Sequence, residues 1–155
     1  MKKIARQFRT INIDVLVYRM AAVPPESPGE LPFDVAQTNN ANKTCYSITD
    51  NGKFVHRSFL YDKVNLLKLL GKRGPAIGNC VTDNAYRGQS IYPKMIYRIA
   101  TEQLKNGKNE VFIIVNADNT ASIRGIEKAG FEMYASVKAK RFLMFYFDKQ
   151  INLFR

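Results

Sequence analysis

The chain has no tryptophan, a single histidine and two cysteines among its 155 residues. Cys45 and Cys80 do not form a Cys-x-x-Cys pair, and His56 is the sole imidazole, so the ligands of a structural zinc site are not there. Both thiols read as reduced and structural. Long apolar runs are also missing. The longest, Val111–Val115 and Phe142–Phe147, fall far short of the roughly 20 residues that a membrane helix needs. The N-terminus, Met1 to Arg9, is charged and leads into no apolar stretch of the kind a signal peptide requires. There is no block of five or six like charges, no internal repeat and no low-complexity tract. These absences lead to the expectation of a soluble, cytoplasmic protein with no membrane partner.

Apolar residues make up 46% of the chain and charged residues 24%, an ordinary balance for a packed core. A folded chain of this size hides roughly 70% of the surface that its unfolded form exposes, and 1–155 is expected to be a single domain. Acidic residues are scarce: 13 stand against 24 basic ones, a net charge of +11. Such a balance suits nucleic acid, an anionic surface or a phosphate-rich small ligand. The densest basic groups are Lys2/Lys3/Arg6/Arg9, Lys68/Lys72/Arg73 and Lys138/Lys140/Arg141. Aromatics are not interleaved with them in a stacking pattern, so no nucleic-acid partner is expected. A basic nucleic-acid-binding module is the runner-up reading, on charge alone.

Alternation at Ile11, Ile13, Val15 and Val17 predicts a strand over residues 10–20. Residues 24–32 hold four of the six prolines and form a loop. Residues 33–37 are too short to assign. Two strands, 44–48 and 54–60, flank Asp50-Asn51-Gly52-Lys53, a strong hairpin signal. Residues 62–70 read as a short helix capped by Asp62 and stopped by Gly71, and 76–82 as a strand. Ile91, Met95, Ile99 and Leu104 mark an amphipathic helix over about 90–106 that ends at Gly107. Residues 110–116 read as a strand buried on both faces. A second helix runs from Asn119 to Ala129 with Gly130 as its left-handed cap, and 131–137 with 142–147 form a closing hairpin. This order gives an α/β layer followed by antiparallel strands.

The chemistry gathers where the strand ending at Thr82 meets the helix near Ser90. Small residues running into a helix N-terminus point several backbone N–H groups at one place, and Arg87 adds charge: an anion site. Pro93 suits the first helical turn, where its missing N–H would have had no partner. The plain alternative is an ordinary helix start with Ser90 as N-cap.

Ala85-Tyr-Arg-Gly-Gln-Ser-Ile-Tyr92 resembles motif A of the GCN5-related N-acetyltransferases, the GNAT family, whose backbone amides hold the pyrophosphate of acetyl-CoA. Asn116-Ala-Asp-Asn119 followed by Ile126-Glu-Lys-Ala-Gly130-Phe131 resembles the family's motif B. The likeness covers about residues 76–147. It implies an α/β (α+β) GNAT fold: a mixed, mostly antiparallel sheet flanked by helices. It also implies an acyltransferase that moves acetyl directly from acetyl-CoA to the amine of a small acceptor. The cofactor contacts it implies are Val81, Thr82, Arg87, Gly88, Gln89, Ser90, Ile91, Tyr92, Asn116 and Asn119, with a backbone N–H near Val81 or Thr82 on the thioester carbonyl.

Three departures accompany the resemblance. Ser90 and Tyr92 stand where the family prefers Gly and Gly or Ala. Ile126 stands where many members carry a tyrosine that protonates the departing thiolate. The Pro-rich loop leaves the first two family helices reduced or absent, and the acceptor side open. Candidate acid/base residues are then Asp83, at a strand end; His56, by its titration range; and Tyr134, as a substitute acid. Cys80 reads as a core thiol rather than an acyl carrier. Arg87 to Pro93 is similar to members that acetylate amino sugars, and acidic acceptors suit the charge better than polyamines. A homodimer is left open, as is a degenerate GNAT that binds CoA without turnover.

Overall fold

Asn51 and Gly52 both take positive φ, 50° and 79°, and close the turn between β3 (Lys43–Asp50) and β4 (Lys53–Tyr61), as the Asn-Gly pair predicts. The computed structural model describes residues 9–154, so Lys2, Lys3 and Arg6 lie outside the described residues. The remaining strands are β1 (Ile11–Met20), β2 (Ala36–Asn40), β5 (Ala76–Thr82), β6 (Val111–Asn116), β7 (Glu132–Phe142) and β8 (Phe145–Leu153). Two α-helices, α1 (Ile91–Lys105) and α2 (Thr120–Lys128), and two short 3-10 turns, Asn65–Leu70 and Asn84–Tyr86, complete the described elements.

All eight strands share one sheet in the order β2-β3-β4-β5-β6-β1-β7-β8. Every neighbouring pair is antiparallel except β5 and β6, which are joined by the α1 crossover. The N-terminal strand β1 sits inside the sheet between β6 and β7, which explains why Val15, Val17, Tyr18 and Met20 are all buried. α1 and α2 cover one face through Met95, Ile96, Ile99, Ile126 and Ala129, packed on Tyr18, Met20, Ile77 and Ile113. The other face carries Val15, Val17, Phe112, Ala135 and Val137, capped by Leu66 and Leu67 of the first 3-10 turn.

No helix stands between β1 and β2. Residues 21–35 instead lie on the helical face, where Leu31, Phe33 and Val35 pack against the core. Pro24 abuts Gly130 so closely that a Cβ on the glycine would lie 2.5 Å from the proline Cγ. Four prolines in nine residues cannot sustain a helical hydrogen-bond ladder, and extended chain fills the space.

Several boundaries differ from the sequence expectation. Residues 36–40 form an exposed edge strand, whose polar sequence AQTNN carries no apolar alternation to announce it. The expected helix at 62–70 is a 3-10 turn begun at Val64, and Asp62 does not cap it; Gly71, in the left-handed conformation, does end it. The last hairpin turns at Leu143 and Met144, not at 138–141. Val137 and Ala139 face the core while Lys138 and Lys140 point out, so these two lysines of the basic cluster lie on the wet face of a continuing strand, and Arg141 falls on the other face, half-buried.

Candidate functional site

β5 and β6 are paired only at their beginnings, Ala76 with Phe112 and Ile77 with Ile113. Beyond that the two strands part, β5 continuing to Thr82 and β6 to Asn116 without a shared ladder. A bulge helps β5 turn away: Asn79 and Cys80 together oppose Ser58 of β4, and Asn79 takes φ of 49°. A gap between parallel strands is therefore built into the centre of the sheet.

On the helical side of that gap lies a cleft of about 670 Å³. Thr82, Arg87, Gly88, Ser90, Ile91, Tyr92 and Asn119, all expected from the sequence, line it. Gln89 is exposed on the same loop but is not part of the wall, and the Val81 side chain points to solvent at 44% exposure. Asn116 also lies outside the wall; its carbonyl receives the N–H of Asn119 at 3.0 Å and closes the turn into α2.

The start of α1 differs from a plain N-cap. Ser90 adopts the left-handed conformation (φ 59°) and its hydroxyl makes no capping bond; it accepts from the ammonium of Lys128 instead. The first intrahelical bond runs from the Lys94 N–H to the Ser90 carbonyl at 3.2 Å. The amides of Ile91 and Tyr92 thus precede the ladder, and the +0.5 end of the helix dipole points into the cleft. Gly88 has φ of 79°, and a Cβ placed there would meet nothing within 4 Å. The loop is open toward the cleft at this residue.

α2 supplies the opposite wall. Asn119 caps it, its Oδ1 accepting from the Ser122 N–H at 3.2 Å. Ala121, Gly125 and Lys128 recur at i, i+4 and i+7 and, with Arg124, face the cleft, while Ile126 and Ala129 enter the core. Arg124 and Lys128 were missed in reading the sequence, although the helical spacing from Asn119 contained the signal. Arg87, Arg124 and Lys128 are the charged residues of the lining, which contains no carboxylate. Tyr92, too bulky for a position that resembles a glycine or alanine site, lays its ring on Gly125. Its side chain leaves the loop backbone uncovered.

The three candidate acid/base residues do not converge. Tyr134 belongs to the opposite face, where its ring packs on Phe112 and the Arg19 guanidinium lies 4.6 Å above it. A substitute acid for the cleft is therefore not found at Tyr134, because strand alternation turns it to the other side of the sheet. His56 is fully buried, with Nδ1 2.7 Å from the Thr82 hydroxyl and Nε2 2.7 Å from the Ser58 hydroxyl. Burial lowers its pKa to about 4, so it is neutral at pH 7. Ser58 in turn donates to the Cys80 sulfur at 3.1 Å, and burial pushes that thiol up to about 11. A thiol held in that state is a poor nucleophile. Asp83 is exposed at the end of β5; its Oδ1 accepts from the Ala85 N–H at 3.0 Å and starts the second 3-10 turn.

No family model matches the sequence, and no curated protein matches it either. Solved structures do resemble the fold. A GNAT-family acetyltransferase from Colwellia psychrerythraea superposes with a TM-score of 0.56 at 14% identity, over 81% of this chain and 54% of its own. A GNAT-family protein from Novosphingobium aromaticivorans superposes with a TM-score of 0.58, also at 14% identity, over 83% of this chain and 65% of its own. The chain thus spans less than two thirds of either neighbour. In its parted parallel strands, its crossover helix and its mixed sheet, the chain has the fold of the GNAT acetyltransferases.

Proposed function

We propose that this protein transfers an acetyl group from acetyl-CoA to the amine of a small acceptor. The observation that carries the reading is the cleft itself: free helix amides, an open Gly88 and three cations, with no carboxylate, beside a gap between strands. A diphosphate fits that donor set, through Arg87, Arg124, Lys128 and the amides of the 88–92 loop. A linear thiol-bearing arm fits the gap between β5 and β6. Bound there, acetyl-CoA would supply an activated acyl group.

Transfer forms a C–N bond to the acceptor nitrogen and breaks the C–S bond; the nitrogen gives up one proton and the departing sulfur takes one up. Asp83 lies outside the lining of the cleft, next to Thr82 at its edge; it keeps one carboxylate oxygen free of the described hydrogen bonds and is the proposed base, reaching the acceptor nitrogen through water. The two hydroxyl partners of His56 and its depressed pKa favour Asp83 over it in that role. Ile126 is buried and apolar. Tyr92, whose ring lies on the neighbouring Gly125, is a phenol of the cleft wall and the proposed donor to sulfur. Tyr86 also lines the cleft, but its hydroxyl is committed to Asp50 at 3.0 Å.

Calorimetric titration with acetyl-CoA and with S-acetylpantetheine tests the reading. Binding of acetyl-CoA, and much weaker binding of the phosphate-free arm, supports it. Equal affinity for the two, or no binding of either, overturns it.

A further inference from the structure

A second cavity, of about 580 Å³, lies on the face of the sheet opposite the helices. It opens on the same gap: Ala76 and Asn79 of β5 and Ile114 and Asn116 of β6 belong to its wall. The two cavities therefore approach one another through the unpaired ends of β5 and β6, one from each face. The second wall combines an apolar floor, Ile13, Val15 and Leu66, and an apolar hairpin tip, Leu143 and Met144, with polar groups that include Asn12, Asn65, Asn79 and Asn116. Met144 is 71% exposed, a large apolar surface facing the opening. Arg141 is the single charged residue of the lining; it is half-buried and forms no ion pair among the described residues.

We infer that this second cavity holds the acceptor, an amine with an apolar body and one carboxylate that Arg141 clamps. The inference rests on the proposed use of the first cleft for acetyl-CoA and adds the substrate class. The half-buried guanidinium has no counter-ion among the described side chains, and its planar fork matches a carboxylate in two parallel bonds. A phosphate ordinarily draws several donors, and the wall supplies one cation. A polyamine has no carboxylate to meet here, since the lining contains none and Arg141 repels it.

With the purified full chain and saturating acetyl-CoA, thiol release is followed for L-leucine, L-leucinamide, spermidine and glucosamine 6-phosphate. Leucine is expected to exceed leucinamide at least tenfold in kcat/KM, with the other two below leucinamide. Arg141→Ala should raise the KM for leucine at least tenfold, barely change leucinamide, and leave acetyl-CoA affinity as it was; Arg141→Lys should recover part of the loss. Met144→Glu, at an exposed position that cannot unfold the core, should also raise the KM for leucine by placing a like charge near its carboxylate. Equal use of leucine and leucinamide, preference for spermidine or the sugar phosphate, or an Arg141→Ala effect shared by leucine and leucinamide overturns the inference. Direct titration of leucine without acetyl-CoA separates the two readings. Leucine binding that depends on Arg141 upholds the second site even where acetyl-CoA fails to bind, and absence of leucine binding sinks it even where acetyl-CoA binds.

Discussion

Tyr92 at the start of α1 rests its ring against Gly125 in the middle of α2, so closely that a Cβ on the glycine would stand 2.7 Å from the tyrosine Cδ1. A large residue on one helix is matched by the absence of a side chain on the other, and the loop before Tyr92 stays clear of its own side chain. Gly125→Ala gains about 1 kcal/mol of helix propensity but overpacks the contact, which costs roughly 1–3 kcal/mol. The net expectation is a lower melting temperature and weaker acetyl-CoA binding. Adding Tyr92→Leu should restore the stability. A melting temperature that rises with Gly125→Ala alone would show that the helices separate freely.

Gly88 and Gly107 have similar backbones, φ of 79° and 94°, and neither has an atom within 4 Å of an added Cβ. Valine at either position should cost about 1–2 kcal/mol of stability from the left-handed backbone. Gly88→Val should in addition abolish acetyl-CoA binding, because its side chain fills the space above the loop amides. Gly107→Val, at the far end of α1, should bind normally. Matched binding by the two variants, measured by calorimetry, would remove the 88–92 loop from the site.

Arg124 and Lys128 are exposed on α2, so each contributes modestly. Arg124→Ala and Lys128→Ala are each expected to weaken acetyl-CoA binding by roughly 1 kcal/mol, about fivefold. The loss should shrink as salt is raised from 50 to 500 mM, since screening removes the same contribution in the wild type. A salt-independent effect would point to packing. Binding of a random DNA duplex at physiological salt is expected to be negligible in every one of these proteins.

His56 carries a pKa of about 4 in the folded protein against 6.5 for an ordinary histidine. Its lowered value means that the unfolded chain binds more protons between pH 6.5 and 4, so stability falls as pH drops through that window. The loss approaches about 3 kcal/mol near pH 4 and is absent above pH 7. Urea midpoints at pH 7.5, 6.0 and 5.0 should decline more steeply in wild type than in His56→Gln. Parallel declines would mean that another group carries the acid sensitivity.

Tyr92→Phe keeps the ring on Gly125 and deletes the hydroxyl. Acetyl-CoA affinity should stay near wild type while kcat falls roughly 10²-fold, the lower end for loss of a general acid. Unaltered kcat would leave water as the proton source for sulfur.

Part of this architecture is local, and short-range patterns suffice to read it. Asn51-Gly52 needs two positive φ angles whatever surrounds it, and Asn119 and Gly130 bracket α2 through bonds within a few residues. The loop-to-helix anion site belongs to the same class, because backbone amides before a helix are unpaired wherever the helix begins. Other features have no local signature. The edge strand 36–40 pairs with β3 through backbone alone, and polar side chains say nothing of it. The turn at Leu143 and Met144 was invisible because an apolar hairpin tip looks like strand.

The amino-acid order by itself determined the crossover helix, the motif at residues 85–92 and the apolar Ile126, since each depends on neighbours within a turn or two of chain. Tertiary structure alone decided which residues meet. It turned Tyr134 to the far face, buried His56 between two hydroxyls, and brought Arg124 and Lys128 opposite Arg87. It also parted β5 from β6 after two pairs and placed β1 beside β6, a pairing between residues about 100 positions apart. The physical reason is that side-chain period tells which residues share a face of their own element. Which element faces which is set by packing the whole sheet, where contacts distant in sequence compete for the same buried area.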